Sequence, residues 1–346
     1  MTSQIHGVTQ QKRFDGIEVA SATPRRGAMF YRLAEKVLML FAIALLDAMA
    51  GATVEHAVAA PPVTTRPAID ASAHSIFMRR MAEKSFKMGL SAAYYENASG
   101  LTKNSRVCVA DLLTLGLAVA ANPTLSRIWS ATNRIVTIHG PHARSEEIVH
   151  GYTKLRGYPA FQRKHPFLGG KDGSLSYNDL TVRAHVIMTE VTGRRILIAL
   201  AGQAYSDDPF AADLEICDLM ESMLKGRARP PTPTLDALEA KFGAYAFATL
   251  DGQLRFESRH SRRLQVPAST TKLMTALCCL DVVKDVSRKM TVRQRDIVGG
   301  SGYKCFDGDE LTWEDALYSI MLPSSNTLAE AAATAAGELM LPENLR

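Results

Sequence analysis

The chain has 346 residues, 47% of them hydrophobic and 22% charged, enough for one large or two ordinary globular domains with ample core. Its net charge of +5 is small and scattered, which gives no case for a nucleic-acid partner. The cysteines (Cys108, Cys217, Cys278, Cys279, Cys305) form no C-x-x-C pair and no zinc-like spacing with histidine, so neither a disulfide framework nor a metal site is expected.

Residues 1–36 are polar and mixed, and end in basic residues ahead of an apolar run from Val37 to Ala52. That run is short for a transmembrane helix and suits a signal-peptide core, with Ala57-Val58-Ala59 as an A-x-A cleavage site. Segment 37–60 therefore reads as a leader or, if retained, a membrane anchor through 37–52; a buried helix is the bland alternative. Residues 61–73 read as linker. A helix is expected over Ile76–Gly89, stopped by the glycine, and another over Val109–Ala121, closed by Asn122-Pro123. Strand-like pieces follow, including Arg134–His139. Arg183–Thr189 and Arg195–Leu200 bracket Thr192-Gly193, which predicts a hairpin. Phe210–Leu224 has helical periodicity.

Residues 226–239, with Pro230, Pro231 and Pro233, read as an internal linker. Beyond it, Ala244–Leu250 and Leu254–Glu257 flank Asp251-Gly252, a strong hairpin signal. Helices are expected over Ser269–Leu280, Trp313–Met321 and Thr327–Leu339. Strands beside helices without regular alternation point to an α+β fold.

The chemistry concentrates in Val266-Pro267-Ala268-Ser269-Thr270-Thr271-Lys272-Leu273-Met274-Thr275. Ser269 and Lys272 are three apart and share one face of a helix, so the lysine amine can take the serine proton. Further on stands Gly308-Asp309-Glu310-Leu311-Thr312, then a helix, then Met321-Leu322-Pro323-Ser324-Ser325-Asn326-Thr327-Leu328-Ala329. Taken alone, Ser324-Ser325-Asn326 is the common composition of a helix N-cap. His139, His142 and His150 show no H-E-x-x-H or comparable spacing.

Together these stretches resemble the S-x-x-K and S-x-N motifs of D-alanyl-D-alanine carboxypeptidases, in the serine penicillin-binding protein and β-lactamase superfamily. The resemblance implies a transpeptidase-like fold, an antiparallel sheet flanked by helices plus a helical subdomain. It also implies Ser269 as nucleophile, Lys272 as base, Ser324 as proton relay, and Asn326 as holder of Lys272 and donor to the substrate carbonyl. The third motif, K-T-G, does not follow before Arg346. Upstream, Met81–Leu101 looks like the family segment after S-x-N, and Gly170-Lys171-Asp172-Gly173 stands where the lysine motif would be. Gly193–Leu200 resembles the last strand. The domain therefore reads in swapped order, second half over 74–225 and first half over 240–346. A circular permutation, a swapped dimer and a rearranged chain that folds poorly are the three readings.

On that resemblance, Lys171 tunes the charge of the site and orients Ser324, while Gly173 and the Ser174 backbone N–H, with that of Ser269, form the oxyanion hole. A rival third motif is His150-Gly151-Tyr152-Thr153; a plain glycine-rich turn at Gly170–Gly173 is the bland one. Asp172 replaces a hydroxyl residue that would bind a substrate carboxylate; it would repel that group or, alternatively, pair with Lys171 and reduce the positive charge offered to the substrate. The implied activity is an exported or periplasmic serine D-Ala-D-Ala carboxypeptidase acting on peptidoglycan stem peptides, open to β-lactams, with no cofactor or metal. An esterase or amidase on the same scaffold and a non-catalytic peptidoglycan-binding protein are the alternatives.

Overall fold

Side-chain caps start several of the helices in the computed structural model, which describes residues 72–342 apart from 91, 178–179, 205–207, 209 and 228–231. The expected leader or anchor at 37–60 and nearly all of the linker at 61–73 lie outside the described residues. Helix α1 (Ala73–Lys87) starts at Ser72, whose side chain accepts from the Ser75 amide, and ends before Gly89 at φ +71°. Helix α2 (Val109–Ala121) stops at Asn122. That residue caps a second, shorter helix α3 (Pro123–Trp129), with proline in its first turn.

A hairpin of β1 (Asn133–Ile138) and β2 (Arg144–Val149) and a short helix α4 (Tyr158–Lys164) lead to the main sheet. Its strands are β3 (Gly169–Tyr177), β4 (Leu180–Val191), β5 (Arg194–Ala204), β6 (Ala244–Thr249) and β7 (Arg255–Glu257), all antiparallel in that spatial order. The β4–β5 turn puts Thr192 at φ 51° and Gly193 at φ 74°, the left-handed pair of a tight primed turn.

Between β5 and β6 lie α5 (Ala211–Leu224) and α6 (Thr232–Phe242). Helix α6 occupies most of the stretch expected as a proline-rich linker. Pro233 is only its second residue, where a missing N–H costs the helix nothing. The remaining elements are α7 (Lys272–Val282), β8 (Lys289–Thr291), β9 (Glu310–Thr312), α8 (Trp313–Met321) and α9 (Asn326–Met340). This is the α+β architecture expected from the sequence.

Residues 74–225 and 240–346 meet in one sheet: Ile198 of β5 stands opposite Phe247 of β6, and Ala201 opposite Ala244. Side-chain alternation then divides two cores. Tyr245, Phe247, Ile196, Ile198 and Leu200 face the layer of α5 and α6. Ala244, Ala246, Ala248, Leu197 and Ala199 face the opposite layer, which holds α2 and α7. The small residues let α2 approach closely. A Cβ at its Gly116 would stand 2.7 Å from the Val186 side chain, too near to fit. All five cysteines are buried and free. Among the described residues no helix is long and apolar enough to cross a membrane.

Candidate active site

Ser269 sits in a turn of 3₁₀ helix (Ala268–Thr271) that runs directly into α7. Ala268, just before it, is held at φ 46°, a strained value for a residue with a side chain. Two glycines from elsewhere explain how the turn is held. Gly100, at φ +77°, has its Cα so near that a Cβ would fall 1.9 Å from the Ala268 carbonyl oxygen. Gly173 on β3 is equally close on another side, where a Cβ would lie 2.6 Å from the Ser269 amide nitrogen. The serine is thus clamped between the Asn97–Leu101 loop and the edge strand of the sheet.

Lys272 follows one turn later and is fully buried. Its Nζ lies 3.0 Å from Ser269 Oγ, 2.7 Å from Asn326 Oδ1 and 2.6 Å from the Ser99 carbonyl oxygen. Burial drives its pKa well below the usual lysine value, and the charge of Lys171 pushes the same way. The anions Glu330 and Asp172 oppose the shift without cancelling it. A neutral amine donates two hydrogens, to Ser99 and Asn326, and turns its lone pair to the Ser269 hydroxyl. That is the geometry of a serine with its proton acceptor already in place.

Asn326 opens α9 and is fixed at three atoms. Its Oδ1 accepts from Lys272, its Nδ2 donates to the Gly299 carbonyl at 2.9 Å, and its backbone N–H donates to the Ser301 carbonyl at 3.0 Å. The expected grip on Lys272 is present. The side-chain amide, expected to face a substrate carbonyl, gives one of its two hydrogens to Gly299. Ser324 stands two residues earlier in a left-handed backbone, φ 63°, and its buried Oγ has no hydrogen-bond partner.

The Gly170–Gly173 stretch is strand, on β3, and not a surface turn. Lys171 is fully buried, and its Nζ donates to the Asp172 carbonyl at 2.6 Å with Asp172 Oδ1 at 3.6 Å. It does not hold Ser324, the partner expected from the sequence: its hydrogen bond goes to the Asp172 carbonyl oxygen, with the Asp172 carboxylate beside it as an ion pair. Burial also lowers the Lys171 pKa, against the pull of Asp172. Burial tends to raise the Asp172 pKa, but Lys171, Arg183 and His150 together bring it below the ordinary aspartate value. The Asp172 side chain is 25% exposed. Ser174 follows on the strand, exposed and opposite Arg183.

His150, in the rival third motif, turns out to support the first. Its Nδ1 accepts from the Tyr152 amide, which places the proton on Nε2, and Nε2 donates to the Gly170 carbonyl at 3.1 Å. Burial lowers its pKa to about 4. His150 therefore pins β3 one residue before Lys171. Sequence reasoning assigned no role to Ser99 or Glu330, and placed His150 only in the rival third motif. A carbonyl can come from any residue type, so Ser99 left no signal beyond the turn Asn97-Ala98-Ser99-Gly100. Glu330 was visible only as an acidic residue one turn into an otherwise apolar helix. Among the described residues, no group of three His, Cys, Asp or Glu side chains could hold a metal ion.

Compared with protein-family models, with curated proteins and with solved structures, the chain matches none.

Proposed function

We propose that the chain is a serine-type D-Ala-D-Ala carboxypeptidase that acts on peptidoglycan stem peptides through an acyl-enzyme at Ser269. The observation that carries the reading is the buried Lys272 amine 3.0 Å from Ser269 Oγ, with its charged form disfavoured by burial. In this mechanism Ser269 Oγ attacks the carbonyl of the penultimate D-alanine and its proton passes to Lys272 Nζ. The C–N bond then breaks, and the proton moves through Ser324 Oγ to the amine of the departing D-alanine. Water cleaves the ester and restores the serine hydroxyl. Backbone N–H groups at Ser269 and along β3 at Ser174 would receive the developing oxyanion.

The same proposal includes a transpeptidase-like domain in permuted order. It is supported by the pairing of β5 with β6 across the two halves. It is also supported by Ser99 and Gly173 of one half meeting Lys272 and Ser269 of the other. These contacts form within one chain, so assembling them takes no swapped partner. Export through residues 37–60, to a compartment holding peptidoglycan, completes the reading.

One feature favours a second reading. Asp172 lies beside Lys171 and is held as a carboxylate, so a free carboxylate on the substrate meets an anion already in place. An esterase or amidase taking neutral substrates would suit that arrangement.

The test is mass spectrometry of the protein after incubation with a fluorescent penicillin and, separately, with a small activated ester, with Ser269→Ala alongside. An adduct on Ser269 from both reagents, absent from the variant, supports the carboxypeptidase. Labelling by the ester alone supports the esterase, and Asp172→Ser should then raise penicillin labelling severalfold. No adduct from either reagent on folded protein would sink both and leave a peptidoglycan-binding role.

A further inference from the structure

Lys272 Nζ is one hydrogen bond from the Ser99 carbonyl, and the Ser99 amide is one hydrogen bond from a buried carboxylate. Ser99 N–H donates to Glu330 Oε1 at 2.9 Å, and Glu330 Oε2 lies 2.8 Å from His74 Nε2. Glu330 comes from α9, one turn after Asn326 and on the same helix face, so one residue holds the lysine amine and the other the loop whose carbonyl accepts from it. We propose that Glu330 is a positioning residue that locks the Ser99 carbonyl against Lys272 and supplies the negative charge balancing its ammonium form. The inference rests on the proposed role of Lys272 as base.

Three further observations carry it. The loop bearing Ser99 has no regular secondary structure, so its carbonyl needs an external anchor, and Glu330 is the charged one. Other charges near Lys272 are accounted for. Lys171 and Asp172 on β3 face each other, and on α1, which packs along α7, Arg80 and Lys84 are both paired with Asp281. Lastly, a cavity of about 1130 Å3 is lined by His74, Ser99 and Glu330 but not by Ser269. Solvent thus reaches the His74–Glu330 pair from behind the nucleophile. The Glu330 pKa is itself lowered, since His74 and the Ser99 amide outweigh burial.

Two variants separate charge from position. Glu330→Gln keeps an oxygen acceptor for the Ser99 amide and removes the charge; Glu330→Ala removes both. The first readout is the 13Cε chemical shift of Lys272 against pH, which needs no turnover. The second is the pH profile of Ser269 acylation by the activated ester. In Glu330→Gln the Lys272 midpoint should fall by about half a pH unit or more. The acidic limb of acylation should move with it, while the plateau stays near wild type. In Glu330→Ala the plateau should fall about tenfold, because the carbonyl is no longer held. An unchanged Lys272 midpoint in Glu330→Gln overturns the electrostatic part. A Glu330→Gln plateau as low as that of Glu330→Ala overturns the positioning part. If Glu330→Ala does not fold, the Glu330→Gln titration and plateau decide alone. A shifted Lys272 midpoint with no acylation of wild type would leave this inference standing and defeat the proposed function.

Discussion

The two lysines of the site are equally buried but differently wired. At the Lys272 end, the amine meets three oxygens from three parts of the chain, each fixed in turn: Ser99 by Glu330, Asn326 by Gly299, and Ser269 by the clamp of Gly100 and Gly173. At the Lys171 end, the ammonium bonds its own strand and its sequence neighbour, while the Ser324 hydroxyl is buried with no partner. Buried hydroxyls are rarely left so. One end has its bonds filled and the other a donor to spare, which is what the proton relay proposed for Ser324 requires. On that proposal, the difference separates the group that would activate the nucleophile from the one that would release the product.

The largest expected effect falls at the complete end. Lys272→Met keeps the length and apolar stem but removes the base, and Ser269 acylation should drop about a thousandfold, read by the labelling rate with the ester. Equal rates in the two proteins would show that Lys272 is a buried structural lysine. Next comes the contact between the ends. Gly173→Ala adds a methyl 2.6 Å from the Ser269 amide nitrogen, so β3 and the nucleophile turn must separate. Acylation should fall about a hundredfold, and thermal unfolding should report a loss of about 1–3 kcal/mol.

The incomplete end should respond with activity and little else. Ser324→Ala removes a hydroxyl that holds nothing, so stability should change by less than about 0.5 kcal/mol. Release of the leaving group should slow about tenfold or more. A large stability loss with full activity would place Ser324 in the framework and not in the reaction. Away from the reacting groups, a pH dependence of stability is expected at His150, the residue that pins Gly170. With its pKa lowered to about 4, the folded protein keeps this imidazole neutral where the unfolded chain, near 6.5, takes up a proton. Stability should therefore fall as pH drops from about 6.5 to 4, by up to about 3 kcal/mol. Urea unfolding at several pH values should show a flatter dependence in His150→Gln.

What was legible in the sequence follows the range of the forces involved. Val109–Ala121 and Trp313–Met321 have the bounds expected, because Asn122-Pro123 and Thr312 act on neighbours a few residues away. The Thr192-Gly193 hairpin was equally plain. Helix α3 was missed because its cap, Asn122, also reads as the stop of α2. Helix α6 was hidden by its prolines. In the site, Ser269 and Lys272 were marked by their spacing and Asn326 by the resemblance of its motif, and the three do meet. The pairing of Lys171 with Asp172 was one of the two readings the sequence offered and is present, whereas its bond to the Asp172 carbonyl in place of Ser324 depends on how the edge strand lies. Ser99 and Glu330 were invisible for the same reason: their roles exist only once distant segments touch.

That distance has a consequence for how the protein comes into being. The bond from Lys272 to the Ser99 carbonyl closes a loop of 173 residues, and Asn326, its other fixed acceptor, lies 54 residues beyond Lys272. Long loops are slow to close and give nothing back until they do. A ribosome that has released Ser269 and Lys272 has therefore made both side chains but not the nest that holds the amine. That nest is complete only once α9, which carries Asn326, has been made.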